Sequence, residues 1–247
     1  MSYRAMNTRP REQSLTLIAI ALTFGSGAAD VASFTRLGNV FTSVMTGNIV
    51  LWGLAVARGS LTLASHTAVS IGGYIAGVAV GTWVARGFRE PEAGSGDGVL
   101  PTHVIWVLLA ELALLTGFTV GWEVTGASPA GWAQFGLLAP LAAAMGMQSS
   151  AVNEMGLTQV STTYLTGTLT GLVSSLVSPG QDTPHSGRRV GVLLGLVAGA
   201  SLCGLFVATA ADAVPILPLA ALVTTIVLAT GPGWRPVRGR ERAQADG

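Results

Sequence analysis

The chain has 247 residues, half of them hydrophobic and a tenth charged, with 33 glycines and a net charge of +1. Its mean hydropathy is +0.58. Soluble domains carry about a quarter charged residues, so composition argues against a water-soluble globule and for a membrane protein. A single cysteine excludes an intrachain disulfide and a cysteine-based metal cluster.

Eight apolar segments are long enough to be read as membrane spans: roughly 14–35, 40–57, 62–85, 103–122, 133–153, 160–178, 189–211 and 215–231. The start, MSYRAMNTRPRE followed by SLTLIAIALTFGSGAADVA, has the layout of a secretory signal. Everything downstream is equally apolar, so an uncleaved first helix is the better reading. Asp30 lies inside that first segment, after the small residues GSGAA. The second segment carries VFTSVMTGNIVLWGL, with Thr42, Ser43, Thr46, Gly47 and Asn48 crowded together. The third bears Gly73, Gly77 and Gly81 at one-turn intervals. A Gly-, Pro- and acid-rich stretch, GFREPEAGSGDGVLPTH, reads as a flexible loop before the fourth segment. Glu111 lies near the centre of that fourth segment, and Gln148, Ser149, Ser150 and Asn153 form a polar patch in the fifth. The sixth repeats the earlier grammar as VSTTYLTGTLTGLV, and the seventh bears Gly191, Gly195 and Gly199.

All thirteen basic residues are arginine, which reads as a GC-rich, bacterial coding sequence. With eight spans, Arg4, Arg9, Arg11, Arg58, Arg188, Arg189, Arg235, Arg238, Arg240 and Arg242 fall on the side of the N-terminus. Arg36, Arg86 and Arg89 fall on the other. Positive-inside asymmetry then predicts a multi-pass protein of the bacterial inner membrane with both termini cytoplasmic. Thr46-Gly47 and Thr166-Gly167 stand 120 residues apart, and Thr42 and Asn48 align with Thr162 and Thr168. The glycine rows align at an offset of 118. These matches predict an internal duplication. The expected fold is an all-α, polytopic transmembrane helical bundle of eight spans, built as two parallel four-span repeats. Residues 1–13 form a cytoplasmic tail, 14–122 the first repeat, 123–232 the second and 233–247 a second cytoplasmic tail.

The paired motifs FTSVMTGNIVLWGLA and STTYLTGTLTGLVSSL, with GSGAADVASFTRLG and AAAMGMQSSAV before them, resemble the YoaK-like family of bacterial multi-spanning proteins. The resemblance covers most of the chain and implies a multi-pass fold. It carries no biochemical activity. The family tends to place Asn after the residue that is Gln148 here, where this chain has Ser149.

The glycine rows predict close helix packing, with the third and seventh segments lying on each other and Cys203 extending the second row. The Thr-Gly segments admit two readings. Their hydroxyls bond within and between helices, or they mark broken helices lining a polar cavity, where corresponding interruptions in two repeats point to a binding site. On the second reading Asp30, Thr42, Thr46, Gly47, Asn48, Gln148, Thr162, Thr166, Gly167 and Thr168 line the cavity, and Asp30 and Glu111 are candidates for proton coupling. Against an enzyme, Gly94-Ser95-Gly96-Asp97 sits in a hydrophilic loop without a second Asp in a matching context. His66, His103 and His185 have no HExxH or Cys cluster around them. No metal, cofactor or nucleic acid is expected, since anionic headgroups account for the membrane-hugging arginines. The expected partners are the lipid bilayer and an unidentified small solute, with homo-oligomerisation open. Transport of that solute is the leading expectation, and a non-transporting scaffold is the alternative.

Overall fold

The computed structural model describes residues 9–88, 99–155, 165–177 and 186–230. Eight helices follow in order: α1 (Arg9–Arg36), α2 (Met45–Arg58), α3 (Leu61–Gly87), α4 (Thr102–Val124), α5 (Trp132–Glu154), α6 (Leu165–Val177), α7 (Ser186–Thr209) and α8 (Ile216–Thr230). A 3-10 turn, Ala211–Ala213, leads into α8. Six of these are long and apolar enough to cross a membrane, counting that turn with α8. The other two, α2 and α6, have 14 and 13 residues. At 1.5 Å per residue each is about 20 Å long, short of the roughly 30 Å of hydrocarbon.

Side-chain bonds fix the direction of each long helix. Gln134, at the start of α5, donates from Nε2 to the Arg36 carbonyl at the end of α1 (3.0 Å). Its Oε1 lies 3.2 Å from His66 Nε2, near the start of α3. Arg36 Nη2 donates to the Val207 carbonyl at the end of α7 (3.1 Å), and Trp122 Nε1, at the end of α4, donates to Ala211 O just before α8 (3.0 Å). At the opposite end, His103 and Glu154 pair at 3.6 Å, Thr82 bonds Ser150, and Phe88 stacks on Trp106. Thus α1, α4 and α7 run one way, and α3, α5 and α8 the other.

Two expectations change accordingly. The segment expected to cross at 40–57 does not: α2 lies between the end of α1 and the start of α3, which are at the same end of the bundle. Gly59 in the left-handed region (φ 63°) closes α2, and the hydroxyl of the next residue, Ser60, caps α3, giving a tight helical hairpin. Of the segment expected at 160–178 the described residues are 165–177, which form α6, between the end of α5 and the start of α7. Nor are the halves parallel, since α1 opposes α5 and α3 opposes α7.

The glycine rows do mediate close packing, but with other partners than each other. Among the described residues α3 lies along α5 and α7 along α1. A Cβ on Gly73 would stand 2.7 Å from Ala139 O, and one on Gly77 would fall on Ala143 O. On the other pair, a Cβ on Gly195 would stand 3.0 Å from Ile20 O, and one on Gly199 would fall on Phe24 O. Gly81 abuts Ser150, and Gly191 abuts the Ile20 side chain. Gly73 therefore corresponds to Gly195, not Gly191, one turn away from the sequence alignment. Cys203, buried, takes the place that Gly81 has in the other pair.

Candidate functional site

Between α1 and α2 the chain is non-helical from residue 37 to 44, yet Leu37, Val40, Thr42 and Ser43 are buried. Buried backbone without helical bonds needs other partners, and four side chains supply them. Asp30, six residues before the end of α1, turns its carboxylate to this segment. Oδ1 accepts from Thr42 N (2.7 Å), Ser43 N (2.8 Å) and Thr42 Oγ1 (3.2 Å), while Oδ2 accepts from Ser43 Oγ (2.6 Å). Asn48, in the first turn of α2, accepts the Phe41 amide on Oδ1 (2.9 Å) and donates from Nδ2 to Phe41 O (2.6 Å) and to Ser70 Oγ on α3 (3.0 Å). Ser70 in turn donates to Phe41 O. Ser33 Oγ donates to Val40 O (2.8 Å).

The Asp30 carboxyl group, expected to line a cavity and couple to protons, accepts from four protein donors. Gly38 (φ 98°) lets the turn pass flat against the His66 ring, which also packs on Phe135 with centroids 4.2 Å apart.

The other expected residues separate from this cluster. Thr42 precedes α2, so it does not share a helical face with Thr46, which is exposed. Gly47 packs on Phe41. Thr166 and Gly167 are exposed at the start of α6, Thr168 is buried, and Thr162 lies outside the described residues. Gln148 donates from Nε2 to Leu22 O (3.1 Å) and Ser26 Oγ (2.8 Å), bracing α5 on α1. Ser149 accepts from the Tyr74 hydroxyl (2.9 Å). Glu111 is wholly buried on α4, and neither carboxyl oxygen has a hydrogen-bond partner among the described residues.

Sequence reasoning passed over one feature. A cleft of about 680 Å³ opens where the α2–α3 hairpin meets the start of α5, lined by Trp52, Ser65, His66, Ala68, Gln134 and Phe135 among others. The sequence marks His66 only as a histidine with no HExxH or Cys cluster around it. The signal was Ser65-His66-Thr67, a polar turn whose partner Gln134 is remote in sequence.

These features define a polytopic α-helical membrane protein with, among the described residues, six long helices and two short ones, one of the short ones built on a buried non-helical segment. The chain belongs to the family described as "Protein of unknown function (DUF1275)", whose profile matches residues 18–229. It is similar to the UPF0700 transmembrane protein YoaK of Bacillus subtilis (strain 168), with 30% identity over 162 residues. That match covers 65% of this chain and 66% of YoaK, just under two thirds of the relative's length. No solved structure matches.

Proposed function

We propose that the chain is a non-enzymatic transporter or channel for a small solute, built from two inverted repeats, each of three long helices and one re-entrant short helix. Several observations support the repeat. The α3–α5 and α7–α1 interfaces use corresponding atoms: Gly73 with Ala139 and Gly77 with Ala143, against Gly195 with Ile20 and Gly199 with Phe24. The sequences PTHVIWVLLAELALLT (101–116) and PILPLAALVTTIVLAT (215–230) align without gaps. In that alignment buried Val107, Leu108, Glu111 and Leu115 of α4 match buried Ala221, Leu222, Thr225 and Ala229 of α8. Because α1 opposes α5, the relating axis lies in the membrane plane, the arrangement found in many secondary transporters.

Six spans also improve the charge asymmetry. Only Arg36 and Arg58 then fall opposite the N-terminus, and every other arginine shares its side. Both termini are cytoplasmic on this reading, in the inner membrane of a bacterium.

The observation that carries transport is α2 itself: a helix that starts inside the bundle on buried, non-helical chain, the device that marks solute pathways in inverted-repeat transporters. In this reading Asp30, Thr42, Asn48 and Ser70 hold a rigid wall, and the solute passes beside it from the cleft at His66 and Gln134. The saturation of Asp30 and Asn48 by protein donors and acceptors favours the rival reading, a scaffold whose motifs only pack helices.

The test uses the lone cysteine. In a Cys203→Ser background, single cysteines replace Ala68 in the cleft, Thr46 at the start of α2, and Val223 on the exposed face of α8. A membrane-impermeant thiol reagent applied to intact cells should label positions 68 and 46 quickly and position 223 slowly. Labelling of neither 68 nor 46, in protein that elutes as a folded species, would leave the scaffold as the better account.

A further inference from the structure

Among the described residues, Glu111 is the one side chain whose buried nitrogen or oxygen atoms have no hydrogen-bond partner. It lies nine residues into the 23-residue α4, close to mid-height, and is completely buried. Every other buried polar group discussed above is bonded, including Thr225, whose hydroxyl donates to Ala221 O (3.0 Å). A structural carboxyl of this kind is expected to acquire donors, as Asp30 does, because burying it without them is costly. Glu111 has acquired none.

Its place in the fold is as informative as its isolation. The helices packed on α4 are α3, α5 and α8. Antiparallel α4 and α8, pinned by Trp122 to Ala211, bring Glu111 to within about one helical turn of the level of Thr225. These two are also the matching positions of the α4 and α8 sequences, so the repeats differ in chemistry at one equivalent point near their axis. No opposite charge faces that point from the packed helices. α8 has no titratable residue, and α5 has only Glu154, at its far end with His103. α3 carries His66 and Arg86 near its two ends and Tyr74, whose hydroxyl goes to Ser149. On α4 itself, His103 and Glu123 lie near the termini.

A metal ion or sodium would need several ligands, and no group of three His, Cys, Asp or Glu converges among the described residues. A proton needs only the carboxyl. We propose that Glu111 is an exchangeable proton-binding site: it carries a proton in the closed arrangement seen here and gives it up when α4 and α8 part. The O–H bond then breaks heterolytically, the proton leaves to entering water, and the electron pair stays on the carboxylate. This deepens the transport reading by giving it a coupling ion.

Infrared spectroscopy of the purified protein in lipid bilayers tests the site without any solute. The wild type should show a carboxylic acid C=O band near neutral pH that is missing from Glu111→Gln. The band should shift when water is replaced by heavy water and fade reversibly as the medium is made alkaline. Glu111→Asp, which keeps an acid on a shorter stem, should retain a displaced band, so the assignment stands even if the Gln variant folds poorly. A band that persists in Glu111→Gln, or no band at all, would overturn the proposal, as would one that never exchanges in heavy water. A dry cleft in the thiol experiment together with an exchanging band would remove the transport reading and leave the proton site intact.

Discussion

Replacing Asp30 with alanine should abolish the folded protein under conditions where the wild type is stable. The substitution strands four donors, the Thr42 and Ser43 amides and their hydroxyls, in a buried segment. The hydroxyls can rotate toward other acceptors, but the two amides are fixed by the backbone. Each buried donor left unpaired costs about 1–3 kcal/mol, and several together approach the 5–15 kcal/mol that typically separates folded from unfolded protein. Asp30→Asn should behave differently. Its carbonyl oxygen can still accept from both amides, and its NH2 can donate to the Ser43 hydroxyl. Thermal melts in detergent, followed by loss of the monodisperse chromatographic peak, should therefore rank wild type, then Asn slightly below it, then Ala far below. An alanine variant as stable as the wild type would show that Asp30 does not hold the segment.

Gly77→Val and Gly199→Val should both be severely destabilising and to similar degrees. At each, the first side-chain carbon would meet a backbone carbonyl of the neighbouring helix, Ala143 O or Phe24 O, which no rotamer change can relieve. The helices must separate along their length, and overpacking of this sort costs about 1–3 kcal/mol or more. The nearby Gly72 provides the control, since a Cβ there meets nothing within 4 Å. Gly72→Ala should be neutral or raise the melting temperature, because alanine is favoured over glycine in a helix by up to about 1 kcal/mol. Equal tolerance of valine at 72 and 77 would contradict the α3–α5 packing.

The sequence marked the right places more reliably than it explained them. Thr-Gly crowding at 42–48 offered a broken helix as one of two readings; the chain is non-helical from 37 to 44, and Thr46-Gly47 lie inside α2. Apolar count could not tell a helix that returns from one that crosses, because α2 exposes Ile49, Val50 and Val56 as a spanning helix would. Once α2 was counted as a span, the halves had to come out parallel. The arginines held the correction, since moving Arg86 and Arg89 to the side of the N-terminus and Arg58 away leaves fewer exceptions. The glycine rows named the packing residues but not their partners, because a stripe with a one-turn period aligns almost equally well after a slip of one turn. Asp30 was read as a cavity-lining, proton-coupling group, and no sequence shows which amides will fold back onto a carboxylate. Glu111, which the residues alone left undecided, gained its case only when the bundle closed around it without supplying a donor.

The exchange of partners between the halves bears on how the chain is made. α1 finds its most extensive contact with α7, and α3 with α5, so α1 waits until α7 has been made before it is matched. Until then the faces of Gly27 and Ser26 stay open to lipid or to whatever guides insertion. The turn at Gly38 is clasped through His66 only when Gln134 arrives on the fifth helix. A nascent chain halted after α4 would hold the α2 hairpin in place with Asp30, Asn48 and Ser70 but lack both glycine-lined seams. Assembly of this order is non-local in sequence and correspondingly slow, which makes the first half on its own a natural target for membrane quality control.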